Sequence, residues 1–286
     1  MLRLKKIYGH GELNPLQKIV TYVLLLVGTI LFVFPVYWMI ITSLKHLPDV
    51  YTMPPSLLFF DIRWENYKEI FTIAPMGKYL WNTVWYSAVS ISIHVAASSL
   101  VAFGFARLRA KGSGILFAIV LSTMMLPPQV TMIPQYLVFN KLGLIDTYYP
   151  LIIPAIGGGA FLIFLMRQFF LGLSKDLDEA VKIDGGSYWT VYFRIILPLS
   201  IPALATAAIL DFMYRWNDLI GPLIYINSPE KFPLSLGLAG FTAAFGGTPW
   251  NLLMAASVVA VAPPLVLFFF TQKYFIRGIV ISGTKG

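Results

Sequence analysis

The chain has 286 residues, of which 58% are hydrophobic and 12% are charged, and its mean hydropathy is +0.75. Soluble domains carry about 25% charged residues, so this composition excludes a soluble enzyme, a disordered chain and a free nucleic-acid-binding protein. It indicates an integral membrane protein. Because the sequence has no cysteine, disulfides, thiolate metal sites and thiol nucleophiles are also excluded.

Uncharged segments long enough to cross a bilayer recur along the chain. A spanning helix needs about 20 residues. The fifth uncharged segment, residues 195–210, is shorter and has Pro198 and Pro202 in its first half, and a span at about 200–220 forces Asp211 and Arg215 into or near the membrane. Prolines inside the first and third segments predict kinks at Pro35, Pro127-Pro128 and Pro134. The six predicted spans are residues 19–44, 79–106, 112–140, 147–166, about 200–220 and about 250–271.

The basic residues predict the orientation of these spans. Six spans place both termini on one side, where the terminal segments and connecting loops carry a net charge of +9 against −1 opposite. Since basic residues collect in cytoplasmic loops, both termini are predicted to be cytoplasmic. We interpret the basic clusters as topology signals rather than ligand sites. The predicted organisation is an N-terminal segment (1–18), a transmembrane domain (19–271) and a C-terminal tail (272–286).

The loop between the fourth and fifth spans, about residues 167–194, has helix signals of its own. Ser174 can cap a first helix with an acidic first turn, and the Asp-Gly-Gly sequence at 184–186 can end it. Ser187 can cap a second short helix. Apolar residues at helical spacing on the first helix are Leu177, Ala180 and Val181. Two short helices around a glycine turn form a knob that can dock into a groove on another protein.

Residues 179–185 read Glu-Ala-Val-Lys-Ile-Asp-Gly, and Ile195 and Leu197-Pro198 follow at a fixed distance. This stretch resembles the EAA loop of ABC importer permeases. In that family the loop carries the coupling helix that docks into the ATPase subunit. The resemblance implies an ATPase contact through Glu179, Ala180, Asp184 and Gly185. The match departs at Val181 and Gly186, where the family usually has alanine.

Other fragments, which cover nearly the whole chain, narrow the resemblance to carbohydrate importers. Trp81-Asn82-Thr83 opens the second span, Ala106-Arg107 closes it, and Trp216-Asn217-Asp218 lies at the exit of the fifth. The tail from Tyr274 to Gly286 is similar to that of the smaller permease subunit of maltose-type systems. There the tail reaches into the ATPase dimer, which implies ATPase contacts for Arg277, Gly278 and Lys285.

The resemblance implies an all-α, type I ABC importer permease fold with six transmembrane helices in a bacterial plasma membrane. It implies a second permease, an ATPase dimer and an extracytoplasmic solute-binding protein as partners, and a di- or oligosaccharide or related polyol as substrate. The chain has no Gly-x4-Gly-Lys-Ser/Thr motif. We therefore expect no enzymatic activity and no cofactor or metal bound by this chain, with ATP and Mg²⁺ used by the partner ATPase.

Polar residues inside the predicted spans are candidates for the transport pathway. Asp211 and Arg215 are one helical turn apart and can pair. They either line the pathway or form an ion pair satisfied within the protein. His94 is interpreted as a packed, hydrogen-bonded residue, because the other histidines lie too far away to share a metal. The candidate pathway residues are Asn82, Asp211, Arg215, Trp216 and Asn217.

Three rival functions make different demands on the sequence. An ion-coupled secondary transporter predicts two inverted halves with charges at the midplane of both, whereas the clear charges here lie in the fifth span. A membrane-embedded enzyme needs a cluster of histidines or carboxylates at one depth. An ABC permease for amino acids or polyamines is the closest rival, and the Arg277-Gly278 tail and Trp216-Asn217-Asp218 argue against it.

Overall fold

The structure is a computed structural model that describes residues 14–57, 61–241 and 247–283, with side chains described as far as residue 272. These residues form helices and loops without a strand. Four helices are long and apolar enough to cross a membrane, and two sharply bent helix pairs raise the number to six if each pair is one span. The predicted all-α membrane protein is confirmed.

The helices follow one another in short steps with a few irregular turns between them. Their bounds are α1 Pro15–Ser43, α2 Leu47–Val50, α3 Glu65–Ile73, α4 Met76–Arg107, α5 Ser113–Ser122, α6 Pro128–Lys141, α7 Tyr149–Ile152, α8 Ala160–Leu171, α9 Asp176–Ile183, α10 Tyr188–Thr190, α11 Leu197–Leu199, α12 Ile201–Trp216, α13 Ile220–Tyr225, α14 Leu234–Gly240 and α15 Trp250–Gly283. Turns of 3-10 helix follow α5 and α7 and precede α14, and a π-helical segment, Val191–Ile196, joins α10 to α11.

The described chain divides into two compact units, and the smaller contains residues up to Ile70 together with Thr248–Val258. Its helix α1 is apolar and exposed along almost its whole length, which suits contact with lipid. The end of α1 is held by Asn66, whose amide donates to the carbonyls of Ser43 and Lys45 at 2.9 Å. α1 is continuous through Pro35.

The larger unit contains Phe71–Gly247 and the chain from Val259 onward. Its core forms where α4 packs against α8, α12 and the π-helical segment. Buried serines on α4 provide small faces that let helices approach closely. The main cluster of buried apolar residues is Ala102, Phe103, Ala106, Leu162, Ile163, Met166, Phe170, Val191, Tyr192, Ile196 and Ala207.

The third predicted span is broken more sharply than the predicted kink. The helix pair Ser113–Met125 and Pro128–Lys141 bends by 94°. Leu126 is extended (φ −81°, ψ 116°), as the residue before a proline tends to be, and neither Pro127 nor Pro128 can donate a backbone hydrogen bond. The helix therefore ends before the prolines and a new one begins at Pro128.

The fourth and fifth spans are also interrupted. At Gly158, φ is +68°, and an added Cβ would lie 3.2 Å from Ser98 Oγ on α4. Gly158 therefore allows this turn to approach α4 closely. The second helix of the loop continues through Pro198 to Leu199, and the 74° bend lies at Ser200, between Leu199 and Ile201. Helix α15 continues to Gly283, beyond the predicted end of the sixth span.

Candidate functional site

The EAA-like loop, residues 167–194, folds into two short helices as its sequence predicts. Helix α9 begins at Asp176, and its N-cap is Lys175 rather than the predicted Ser174; the Ser174 hydroxyl accepts a hydrogen bond from the amide of Asp176 at 3.2 Å from one residue before the cap. Its first turn carries three acidic residues, which the positive end of the helix dipole stabilises. Ser187 caps α10 through reciprocal hydrogen bonds with Thr190.

Two glycines end α9 in a Schellman motif. The amide of Gly186 donates to the carbonyl of Val181 at 2.7 Å, and that of Gly185 to the carbonyl of Lys182 at 3.0 Å. Gly185 has a φ of +77°, which side-chain-bearing residues rarely adopt. The predicted stop at 184–186 is confirmed, and it fixes the turn between the two helices.

The residues that the resemblance assigns to ATPase contact share one accessible surface. Glu179, Ala180, Asp184 and Gly185 are all exposed. Beside them Ile183 is 86% exposed, although it is a large apolar residue. Exposed apolar residues grouped with charges are typical of protein interaction sites. The helix therefore offers a mixed apolar and acidic face that the described chain leaves uncovered.

The opposite side of α9 is attached to the membrane helices by a contact that sequence analysis missed. Asp178 is buried, and its Oδ2 lies 3.5 Å from Nη1 of Arg107, the last residue of α4. Nη2 of the same arginine donates to the carbonyl of Leu173 at 3.1 Å. The sequence identifies Arg107 as a topology signal and as part of the Ala106-Arg107 fragment that closes the second span, but predicts no contact for it. The sequence signal that could have revealed this contact is the position of Arg107 at the end of a long uncharged span, two residues before Arg109.

A second group of polar residues, the membrane cluster, consists of His94, Asp211 and Arg215. Arg215 Nε donates to Asp211 Oδ2 at 3.1 Å, so the predicted pairing is present. His94 Nδ1 approaches Asp211 Oδ1 to 3.0 Å without the alignment of a hydrogen bond. Both Asp211 and Arg215 are buried within this chain. The histidine is packed, as predicted, but its buried Nδ1 has no aligned hydrogen-bond partner among the described residues, so the predicted hydrogen bond is not found at that atom.

The membrane cluster also ties three helical elements together. Arg215 Nη1 donates to the carbonyl of Leu151 at 3.3 Å, and the carbonyl of Arg215 accepts from the hydroxyl of Tyr86 at 2.7 Å. A Cβ added to Gly159 would lie 2.6 Å from His94 Nε2, so only glycine leaves room for the imidazole. The charged groups are therefore satisfied by α4, α12 and the segment between them.

Asn82 fastens a loop. Its side-chain amide donates to the carbonyls of Glu230 and Phe232, both at 3.0 Å. Between them Lys231 donates to the carboxylate of Asp146 at 2.7 Å. That carboxylate also accepts from the amides of residues 227 and 228 and from the Ser228 hydroxyl, so its pKa is held well below its ordinary value, chiefly by Lys231.

Comparison with known proteins identifies the family. Residues 94–281 match the family described as "binding-protein-dependent transport system inner membrane component". The chain belongs to this family. The matched region contains both the EAA-like loop and the membrane cluster. The protein is therefore a multi-pass membrane permease of the ABC importer type, as the EAA-like loop predicted.

Individual relatives resemble this permease over most of its length. It is 35% identical to the probable ABC transporter permease protein YurM of Bacillus subtilis over 93% of this chain and 88% of that one. It is 35% identical to the arabinooligosaccharides transport system permease protein AraQ of Halalkalibacterium halodurans over 89% and 91%. The fold resembles a chain of a bacterial ABC transporter that imports the acidic polysaccharide alginate, with a TM-score of 0.83, 23% identity, and 94% and 99% coverage.

The two departures of this permease from the usual EAA sequence lie against each other. A Cβ added to Gly186 would lie 2.5 Å from Val181 Cγ1 and 2.9 Å from the Val181 carbonyl. The larger valine at 181 thus occupies space next to the smaller glycine at 186. Because interiors are close-packed, the added and removed volumes compensate locally.

The remaining predicted site residues have different surroundings. Trp216 is buried, and its Nε1 donates to the carbonyl of Ala260 at 3.1 Å. Asn217 is exposed, and its side chain donates to the carbonyl of Met213 at 2.7 Å. The side chain of Arg277 and all of Lys285 lie outside the described residues, and Gly278 is described only as part of the backbone of α15. The structure therefore brings the loop residues together, whereas among the candidate pathway residues it pairs Asp211 with Arg215 and gives Asn82, Trp216 and Asn217 partners elsewhere.

Proposed function

We propose that this permease is one of two membrane subunits of an importer for a carbohydrate, either a di- or oligosaccharide or a related polyol. The exposed, rigidly capped face of α9 carries the proposal, because such a face suits docking to a separate energy-supplying subunit. The naming of one relative for arabinooligosaccharides supports a sugar substrate. A second, homologous permease completes the pathway, and an extracytoplasmic binding protein delivers the substrate.

In the proposed importer, the energy of ATP hydrolysis reaches the permease through the EAA-like loop. Glu179, Ala180, Asp184 and Gly185 contact an ATPase dimer, which binds ATP and Mg²⁺, because this chain has no nucleotide-binding motif. The tail residues Arg277, Gly278 and Lys285 make a second contact with the same dimer. Both contacts require the termini and the loop on the cytoplasmic side, in agreement with the excess of basic residues there.

The pathway in this proposal runs along the face that includes the end of α12. Asn217 is exposed and has polar atoms that can meet sugar hydroxyl groups. Asn82, Asp211, Arg215 and Trp216 have their polar side-chain groups engaged in internal hydrogen bonds, so in this proposal they hold the surrounding helices in place rather than bind the sugar. Transport is then a shift between inward-facing and outward-facing conformations rather than a catalysed reaction.

Co-purification followed by an activity panel tests this function. The tagged permease, purified from the membranes of its native host, is expected to bring down a second permease and an ATPase. Sugar-loaded binding protein is expected to stimulate ATP hydrolysis by that complex in proteoliposomes. Glu179→Ala and Asp176→Ala each remove one acidic side chain from α9, but only Glu179 is assigned to the ATPase contact. Only Glu179→Ala should therefore reduce the amount of ATPase that co-purifies with the permease. A permease that purifies alone, with its amount and fold unchanged, contradicts the proposal.

A further inference from the structure

We propose that Arg107 is a positioning residue for energy coupling, which fastens helix α9 to the end of helix α4 through Asp178. A displacement of α9 is then passed laterally into the membrane helices, in addition to the path along the chain through α10 and α12. This inference rests on the proposed function, because it assigns a route to a motion that the ATPase imposes.

Three segments meet at the Arg107 guanidinium. The arginine is the last residue of α4, its Nη2 bonds the Leu173 carbonyl after α8, and its Nη1 faces the Asp178 carboxylate on α9. The side chains of Arg107 and Asp178 are 1% and 10% exposed. At such burial, salt and water screen the attraction weakly. The pair is therefore a strong link compared with an exposed ion pair of the same length.

The link is incompletely formed in this conformation. Within the described residues, Arg107 Nε and Nη1 and Asp178 Oδ1 are buried without an aligned hydrogen-bond partner. A guanidinium and a carboxylate can form two parallel hydrogen bonds, and the 3.5 Å separation is longer than such bonds. A small displacement of α9 can thus change the pair from a loose charge contact to a bidentate one. Such a contact has two arrangements that a docked subunit can bias.

Helix α4 can carry the displacement further. Its Ala102, Phe103 and Ala106 are packed in the main core against α8, and close-packed interiors transmit displacement with little compression. His94 of the membrane cluster lies on the same helix, about 20 Å from Arg107 at 1.5 Å per residue. One rigid helix therefore joins the EAA-like loop to the membrane cluster.

Matched variants test the link in the purified transport complex. Arg107→Met removes the link, whereas Arg109→Met makes the same change at an exposed position two residues away. Asp178→Asn has its control in Asp176→Asn on the exposed side of α9. We expect the sugar transported per ATP hydrolysed to fall about 5-fold or more in the first variant of each pair, the usual lower range of coupling between sites. It should stay at the wild-type value in the controls.

A double variant keeps the test decisive if a single change prevents assembly. Arg107→Met with Asp178→Leu leaves no unpaired buried charge, so the complex should assemble. The double variant should transport no less sugar per ATP than the more impaired of the two single variants, because the effects of two residues that act through each other are not additive. If this variant transports as much sugar per ATP as wild type, the pair has no role in coupling and the proposal is overturned. If the variant fails to assemble, the pair serves folding alone, and the proposal is overturned as well.

Hydrogen exchange of the permease separates this inference from the proposed function. The backbone amides of 176–186 should exchange faster in Arg107→Met than in Arg109→Met, in detergent and without any ATPase. Equal exchange in the two variants overturns the link. If the wild-type complex shows no sugar-dependent ATP hydrolysis, the proposed function fails, while the exchange measurement still decides whether Arg107 holds α9.

Discussion

The EAA-like loop and the membrane cluster use charge in opposite ways. In the membrane cluster Asp211 and Arg215 are buried, and each finds its partner within the chain. In the loop Glu179 and Asp184 face outward from a helix whose backbone is already capped. A charge at membrane depth must be satisfied internally because no water can solvate it. An exposed charge on a rigid loop is available to another subunit.

Removal of a charge from the membrane cluster should have the largest effect on stability. Asp211→Ala leaves Arg215 buried without its carboxylate, and breaking such a pair costs about 3–5 kcal/mol. We expect a large drop in the thermal unfolding midpoint of the detergent-solubilised permease. Asn217→Ala, a change at an exposed position on the next turn, should leave the midpoint near the wild-type value. Normal stability, assembly and transport in Asp211→Ala would remove any role for this pair.

A substitution at Gly159, next to the imidazole of His94, tests the packing of the same cluster and should have a smaller effect on stability. Gly159→Ala places a methyl group 2.6 Å from the His94 ring nitrogen, and overpacking of this kind costs about 1–3 kcal/mol. Gly157→Ala adds the same methyl group where nothing lies within 4 Å. Denaturation midpoints of the two variants should therefore differ. Equal midpoints would mean that the imidazole moves aside at no cost and that the cluster is not tightly packed.

The Asp146–Lys231 contact is intermediate between the two regions, since its charges are paired but partly exposed. Its hydrogen bonds lower the pKa of Asp146 below its ordinary 3.8. A carboxylate with a lowered pKa stabilises the folded state above its unfolded pKa, and the contribution disappears as the pH falls through the folded pKa. Solvent screening limits it to about 1 kcal/mol or less.

Stability measured against pH checks this contact. Wild type should be more stable than Asp146→Asn at pH 7, and the difference should shrink as the pH is lowered below about 4, near the ordinary carboxylate pKa. Lys141→Met, with no contact to this carboxylate among the described residues, serves as the control variant. A difference that is constant down to acidic pH would show that the Asp146 charge is not the source of the stabilisation.

Local signals predicted the loop better than the membrane core. The Ser187 cap and the glycine stop at 184–186 depend on a few adjacent residues, so the sequence was sufficient for the existence of both helices, although the cap predicted at Ser174 falls on Lys175 instead. The 94° angle between the two helices of the third span depends on how neighbouring helices pack around Pro127-Pro128. The prolines predicted a kink, but the size of the angle could not be predicted from the sequence. The Arg107–Asp178 contact joins residues 71 positions apart and was missed for the same reason.

The exposed face of α9 should show the smallest effect on stability and yet a large effect on transport. Ile183 is 86% exposed, so Ile183→Ser removes few contacts within the chain, and surface changes of this kind stay within about 0.5 kcal/mol. If the face docks to an ATPase, the same change removes apolar area from that interface, and ATPase recovery and sugar transport should both fall. Ile19→Ser, also at an exposed position but on α1, is the control, because it should leave ATPase recovery unchanged. A variant that loses stability instead would place Ile183 in an internal contact and remove the contrast between an outward-facing loop and an inward-facing membrane cluster.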